Sequence, residues 1–199
     1  MNMKKAGFYI WMLITALFVI SCSDDDDDNS DEVWKLKNEQ AFDEIANNPE
    51  YTELKSLTNA ASLYYKVLKS GEAGGDTPTS SDRAQVYYKG TFVVTDEDKG
   101  ITKGDVFKSR FFDDGEPYNV AMNSGVANYN EKSNPYGYKV EITGWLDALQ
   151  YMVVGDKWEV WLPYQLAYGE TASNSIPAYS TLCFEIELMK VIYIDDMTD

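Results

Sequence analysis

The sequence predicts an α+β domain, a curved antiparallel β-sheet wrapped around one short central helix. Three stretches carry this reading. In the last strand candidate, Leu182, Phe184, Ile186 and Leu188 fall on one face, and Cys183, Glu185, Glu187 and Met189 on the other. That alternation marks a sheet covered on a single side. Gln85–Val94 alternates in the same way, with Val86, Tyr88, Phe92 and Val94 sharing a face. Between them, Trp145, Ala148, Leu149 and Met152 recur at the i, i+3, i+4, i+7 spacing of a core-facing helix. Several strands and one amphipathic helix make an α+β fold, with the helix on the concave side of the sheet.

The remaining elements follow in chain order. Val33–Ala46 reads as a short helix whose apolar face is Trp34, Leu36, Ala41, Phe42 and Ile45, ended by Asn47-Asn48-Pro49. A second short helical stretch is expected over Glu50–Leu57. Residues 33–60 then form a small cap, and the sheet domain runs from residue 61 to 194. Leu63–Leu68 has strong strand propensity. Gly71–Asp82 is a loop without the Gly-Lys-Ser/Thr of a phosphate-binding turn. Strand candidates follow at Val106–Phe112 and Pro117–Met122, and Asn123–Tyr138 is a long polar loop. Thr143 is the expected N-cap of the central helix and Gly155 its stop. Trp158, Val160 and Leu162 alternate on the next strand.

The beginning of the chain is an address. Lys4 and Lys5 precede an apolar run, Ala6–Ile20, too short for a comfortable membrane span but suited to a signal-peptide core. Val19-Ile20-Ser21-Cys22 resembles the bacterial lipoprotein cleavage box. Cys22 is then the lipidated first residue after removal of residues 1–21. An uncleaved anchor and an ordinary secretion signal are the alternatives. Residues 22–32, with Asp24–Asp28 in a row, read as an extended acidic tether, because adjacent carboxylates repel. A calcium loop is the weaker reading, for want of spaced ligands and a turn glycine. The run also resembles the acidic signal of some surface-exported lipoproteins. The expected location is therefore the cell envelope, anchored by lipid to a bacterial membrane, with the outer membrane favoured.

Charge and composition exclude whole classes of chemistry. The chain holds 17 basic and 33 acidic residues, a net charge of −16, and losing Lys4 and Lys5 with the leader makes it more acidic still. Such a surface does not suit nucleic acid or electrostatic docking on anionic lipid. With no histidine, there is no Ser-His-Asp or Cys-His site and no histidine-bearing zinc site. No cofactor or metal is expected. Once Cys22 carries lipid, Cys183 has no disulfide partner and reads as a packing residue. Carboxylate pairs suited to glycoside hydrolysis arise by chance among so many acids, and nothing singles one out.

What remains is a set of aromatic and aliphatic residues at turn boundaries. The runs Ile142-Thr143-Gly144-Trp145, Leu166-Ala167-Tyr168-Gly169 and Ile176-Pro177 followed by Thr181-Leu182-Cys183-Phe184 and Glu187-Leu188 stand in an order and spacing that resemble the FKBP-type peptidyl-prolyl cis-trans isomerases. The resemblance covers about Val86 to Val191. It implies an FKBP-like fold and an enzyme that rotates X-Pro bonds in proline-containing segments of extracytoplasmic proteins. By that resemblance, Trp145 is the pocket floor. Tyr88, Phe107, Tyr118, Ile142, Ile176, Tyr179 and Phe184 form or flank the walls. Tyr168 gives its hydroxyl to a substrate carbonyl, and the Ile142 N–H makes a second such contact. The loop from Glu170 to Ile176 overhangs the pocket, and macrolides become candidate ligands. The residues ahead of the domain are too few for the helical dimerisation arm of some secreted relatives, so a monomer is expected.

One departure bears on activity. Where the family has Phe-Asp-Ser, this chain has Phe107-Lys108-Ser109. Lysine inverts the charge beside the pocket, and Asp105 and Asp113 are the carboxylates in position to compensate. A binding or chaperone module on the same fold is therefore the second reading. A glycan-binding surface is weaker still, because the aromatics fall inside strand and helix patterns.

Overall fold

The computed structural model describes residues 26–111, 115–123 and 139–193. Cys22, the leader, Asp113 and most of the predicted Asn123–Tyr138 loop lie outside them. The described elements are α1 (Asp26–Ala46), β1 (Thr52–Lys55), β2 (Ser62–Lys69), β3 (Arg83–Phe92), β4 (Val106–Arg110), β5 (Tyr118–Ala121), β6 (Lys139–Val140), α2 (Thr143–Leu149), β7 (Lys157–Leu162), a 3-10 turn at Tyr164–Leu166, and β8 (Leu182–Ile192).

One sheet runs β1-β2-β7-β8-β3-β5-β6, with β4 also paired to β3. All pairs are antiparallel except β5–β6, which is parallel and differs from the expectation. β3 organises the sheet. It pairs with β8 from Arg83 to Phe92 on one side. Its other edge is divided, Arg83–Val86 bonding to β5 and Tyr88–Thr91 to β4. Leu182, Phe184, Ile186 and Leu188 of β8 are buried, as the alternation predicts, and face the core that contains Trp145, Ala148, Leu149 and Met152 of the α2 segment.

The outer face is held by charge. Lys89 and Lys157 both pair with Glu185, and Lys69 pairs with Glu187 at 3.0 Å. Partial burial works against ionising Glu185, but Lys157 and Lys89 hold its carboxyl below the usual range. Burial pushes the neighbouring Cys183 thiol up, away from the reactive thiolate.

Four local expectations are corrected. Glu50–Leu57 is not helical: β1 occupies its centre and pairs with β2. A tight turn, with Ser56 N–H donating to Ala61 O at 3.1 Å, closes this hairpin, and strand pairing overrides the local helical pattern. The α2 N-cap is Ile142, extended at φ −60°, ψ 149°, rather than Thr143. Its carbonyl accepts from Trp145 N–H at 3.0 Å, which starts the helix without a side-chain cap. The helix stops at Gln150 rather than Gly155, through a tightened turn in which Tyr151 N–H donates to Ala148 O at 3.0 Å. Finally, α1 begins at Asp26, so residues 26–32 of the predicted extended tether are helical. Acidic residues are favoured at a helix N-terminus by the peptide dipoles.

The buried row of α1 is Trp34 and Asn38, one turn apart, whereas Leu36 is 55% exposed. Phe42, one turn further on, packs edge-on to Tyr64 at 5.5 Å. Trp34 meets Phe92 at 6.4 Å, and Lys37 pairs with Asp96 at 3.1 Å. The Asn38 Oδ1 accepts from Thr181 N–H at 2.8 Å, and its backbone oxygen accepts from the Thr181 hydroxyl at 3.0 Å. A polar residue inside the buried row is what hides this face from an apolar count. Asn38→Ala should therefore lower the urea midpoint, costing about 1–3 kcal/mol by stranding a buried N–H. Leu36→Ala should stay within about 0.5 kcal/mol of wild type. Equal effects would mean that α1 docks differently.

Candidate active site

The site is built around one indole. Trp145 lies in the first turn of α2 and is 1% exposed. Three strands each present a ring to it. Tyr88 of β3 stands at 4.8 Å and 74°, Phe184 of β8 at 5.3 Å and 90°, and Tyr118 of β5 at 6.4 Å and 87°. These are edge-to-face contacts, favoured by the aromatic quadrupole. Phe107 of β4 joins through Phe184 at 5.6 Å and Phe92 at 5.1 Å. Ile142 and Tyr168 are partly buried against the same cluster, and Ile176 is buried within it.

Two glycines make the approach possible. Gly90 lies on the inward face of β3 between Tyr88 and Phe92. A Cβ there would fall 2.6 Å from Phe107 Cζ and 2.7 Å from Phe184 Cε1. The missing side chain is the space those rings occupy. At Gly144, a Cβ would overlap the Leu162 side chain, so the glycine lets α2 sit close on β7 and fixes the depth of Trp145.

Polar groups gather on one side of the rings. The Tyr118 hydroxyl donates to Glu141 Oε1. Burial pushes the Tyr88 hydroxyl up to about 12, with the Glu141 charge as the next cause. Burial also raises Tyr118, followed by its hydrogen bond to Glu141. Tyr168 is raised by burial and then by the same charge, with no hydrogen bond contributing. Tyr118 thus bonds to a carboxylate whose charge also reaches Tyr88 and Tyr168, and all three phenols stay protonated through the neutral range.

Lys108 lies at the edge of this group. Its ammonium is 5.2 Å from the Tyr118 ring centroid, 5.7 Å from that of Tyr88, and 3.9 Å from Glu141 Oε1. The charge inversion read from Phe107-Lys108-Ser109 is therefore answered by Glu141, only 11% exposed, on the segment entering α2. Asp105 does not compensate; it accepts from Thr102 N–H at 2.7 Å and holds a turn. Sequence reasoning missed Glu141, whose one signal is its place directly before Ile142, lost among 33 acids.

Tyr179 is not brought into the ring cluster. Its ring packs edge-on to Tyr164 at 5.2 Å beneath Lys35 of α1, and its N–H donates to Gly169 O at 3.0 Å. It braces the segment after Tyr168 rather than lining the Trp145 pocket. Among the described residues no cluster of three or more potential metal ligands occurs. The arrangement offers an apolar surface for a small ring and, in Tyr168, a hydroxyl for a carbonyl, while the Glu141 carboxylate is engaged by the Tyr118 hydroxyl.

Two outcomes follow. Gly90→Ala should cost about 1–3 kcal/mol by overpacking and shift the tryptophan fluorescence, and an unchanged melting curve would contradict the ring placement. In Glu141→Gln, the phenols should ionise at lower pH than in wild type yet above their ordinary value, because the charge is lost and the burial is kept. Ultraviolet titration reads this directly, and an unmoved curve would show that Glu141 does not face them.

The sequence and the fold are similar to those of known proteins. The model of the family described as FKBP-type peptidyl-prolyl cis-trans isomerase matches residues 74–189. The FKBP-type 22 kDa peptidyl-prolyl cis-trans isomerase of Escherichia coli (strain K12) is 37% identical over 131 residues, 65% of this chain and 50% of that protein. The FKBP-type isomerase FkpA of Aeromonas hydrophila is 33% identical over 147 residues, 74% of this chain and 44% of its own length. The chain thus spans about half the length of these curated relatives. The crystal structure of FkpA from Escherichia coli superposes with a TM-score of 0.60 at 25% identity, covering 83% of this chain and 62% of that one. Because that family model matches more than half of the chain, the chain belongs to the FKBP-type peptidyl-prolyl cis-trans isomerase family.

Proposed function

We propose that this chain accelerates rotation about X-Pro peptide bonds in proteins outside the cytoplasm, assisting their folding. The observation that carries this is the buried Trp145 indole met edge-on by Tyr88, Phe184 and Tyr118, with the half-buried Tyr168 hydroxyl beside them. Amide rotation faces a barrier of about 18–20 kcal/mol, because resonance must be broken. Resonance places charge on the carbonyl oxygen, and a dry aromatic pocket disfavours that separation. A surface shaped for the twisted bond then stabilises the transition state over the planar ground states. Tyr168 and the Ile142 N–H orient the carbonyl, and no proton is exchanged.

Lys108 gives a second reading its footing, that of a module that binds prolyl segments without accelerating them. In that case prolyl peptides bind but their isomerisation stays at the unaided rate. For the catalytic reading, wild type should show clear acceleration with short Leu-Pro peptides. Tyr168→Phe should lower kcat/KM by about threefold to tenfold, the worth of one hydrogen bond. No acceleration from a folded wild type would overturn it.

The same proposal places the chain at a bacterial envelope, held by lipid on Cys22. The apolar run before that cysteine and the match to the cleavage box support this. Among the described residues no helix is long and apolar enough to cross a membrane. The chain acts as a monomer, consistent with α1 folding back on its own domain, and macrolides are further candidate ligands of the pocket. Metabolic labelling with a fatty acid should mark wild type and fail with Cys22→Ala, and equal labelling would refute the anchor.

A further inference from the structure

We propose that Lys108 makes this pocket prefer prolines with an acidic residue, Asp or Glu, directly beside them. The inference rests on the prolyl reading above and names its substrate class. Lys108 lies opposite Gly90 in the β3–β4 register, and Arg110 lies opposite Tyr88. The mouth therefore carries two cations from β4. Among the described residues Glu141 is the carboxylate paired with Lys108, and its Oε1 is already engaged by the Tyr118 hydroxyl. Arg110 and Glu141 are the charged groups whose fields reach the Tyr88 hydroxyl.

The ammonium keeps capacity for a ligand. Its contact with Glu141 is long at 3.9 Å, and the Lys108 side chain is 41% exposed. A lysine offers three N–H donors, and one distant carboxylate oxygen does not satisfy them. The distances also suit a neighbour of proline. The ammonium is 5.2 and 5.7 Å from the Tyr118 and Tyr88 ring centroids. With a proline ring on those aromatics, the adjacent residue begins about 3.8 Å further along the peptide, so its side chain reaches the lysine. This cationic mouth stands in a chain of net charge −16. An acidic side chain is repelled by the surface as a whole and is drawn to this position in particular.

The test uses the full chain and peptides of one length bearing Glu, Gln or Lys before proline, with a second set placing the same residue after it. The reading is the ratio of kcat/KM for Glu over Gln, which is independent of the overall rate. At low salt wild type should give about two- to fivefold in at least one set, the worth of a partly exposed ion pair, with Lys below Gln. The ratio should fall towards one at high salt. Lys108→Gln should lower it towards one, with Arg110 left in place, and Lys108→Asp should invert it, with circular dichroism confirming that both variants are folded. A wild-type ratio of one in both sets, or a ratio that survives Lys108→Asp, would overturn the proposal. If no peptide is accelerated at all, the catalytic reading fails. The same ratios measured as Kd then decide this one.

Discussion

Everything in this domain is arranged around the seating of one indole. Trp145 is nearly fully buried, and its N–H has no acceptor among the described residues, so ring packing rather than a hydrogen bond holds it. That packing draws on three separate strands. β3 supplies Tyr88, β8 supplies Phe184 and β5 supplies Tyr118, and all three approach within 6.4 Å. Displacing the indole would thus break contacts to both sides of the sheet's central strand. The divided edge of β3 serves the same end. β5 and β4 each take part of it, which lets Tyr118 and Phe107 reach one cluster from two directions. Gly90 opens the space in which they meet.

A supporting shell of contacts holds the segments around the rings. α1 is fastened to the end of the Tyr168–Thr181 segment by Asn38, and Lys35 sits over Tyr164 and Tyr179. The backbone of Tyr179 is left-handed at φ 60°, a conformation that a tyrosine holds only where its surroundings fix it. The N-terminal helix therefore braces the stretch that presents Tyr168. At the opposite side of the rings the polar character is set by a pair, Lys108 and Glu141, in which the cation and the carboxylate come from different segments.

Much of this was legible in the sequence because it is periodic. The alternation of β3 and β8 and the i, i+3, i+4, i+7 face of α2 survive any tertiary context, since they are what makes the core. Trp145, Tyr88, Phe107, Tyr118 and Phe184 were found through the order of the motifs and meet as rings in the fold. What was not legible depends on partners remote in sequence. β1 is a strand because β2 lies beside it. Asn38 is buried because Thr181, far along the chain, offers it two hydrogen bonds. Glu141 matters because Tyr118 and Lys108 converge on it, and no local pattern separates it from the other acids. The resemblance sets Tyr179 beside the pocket, whereas in the fold its backbone is left-handed and its ring packs on Tyr164.

The claim at the centre is that the Trp145 pocket is where an X-Pro bond turns. The most direct measurement is two-dimensional exchange NMR on a Leu-Pro peptide with a small fraction of the chain added, while the Trp145 ring signals are followed as peptide is titrated. The account predicts cis–trans exchange peaks far faster than the unaided tens to hundreds of seconds, together with shifts of the Trp145 signals that saturate with peptide. Exchange left at the unaided rate while the Trp145 signals stay in place would contradict it.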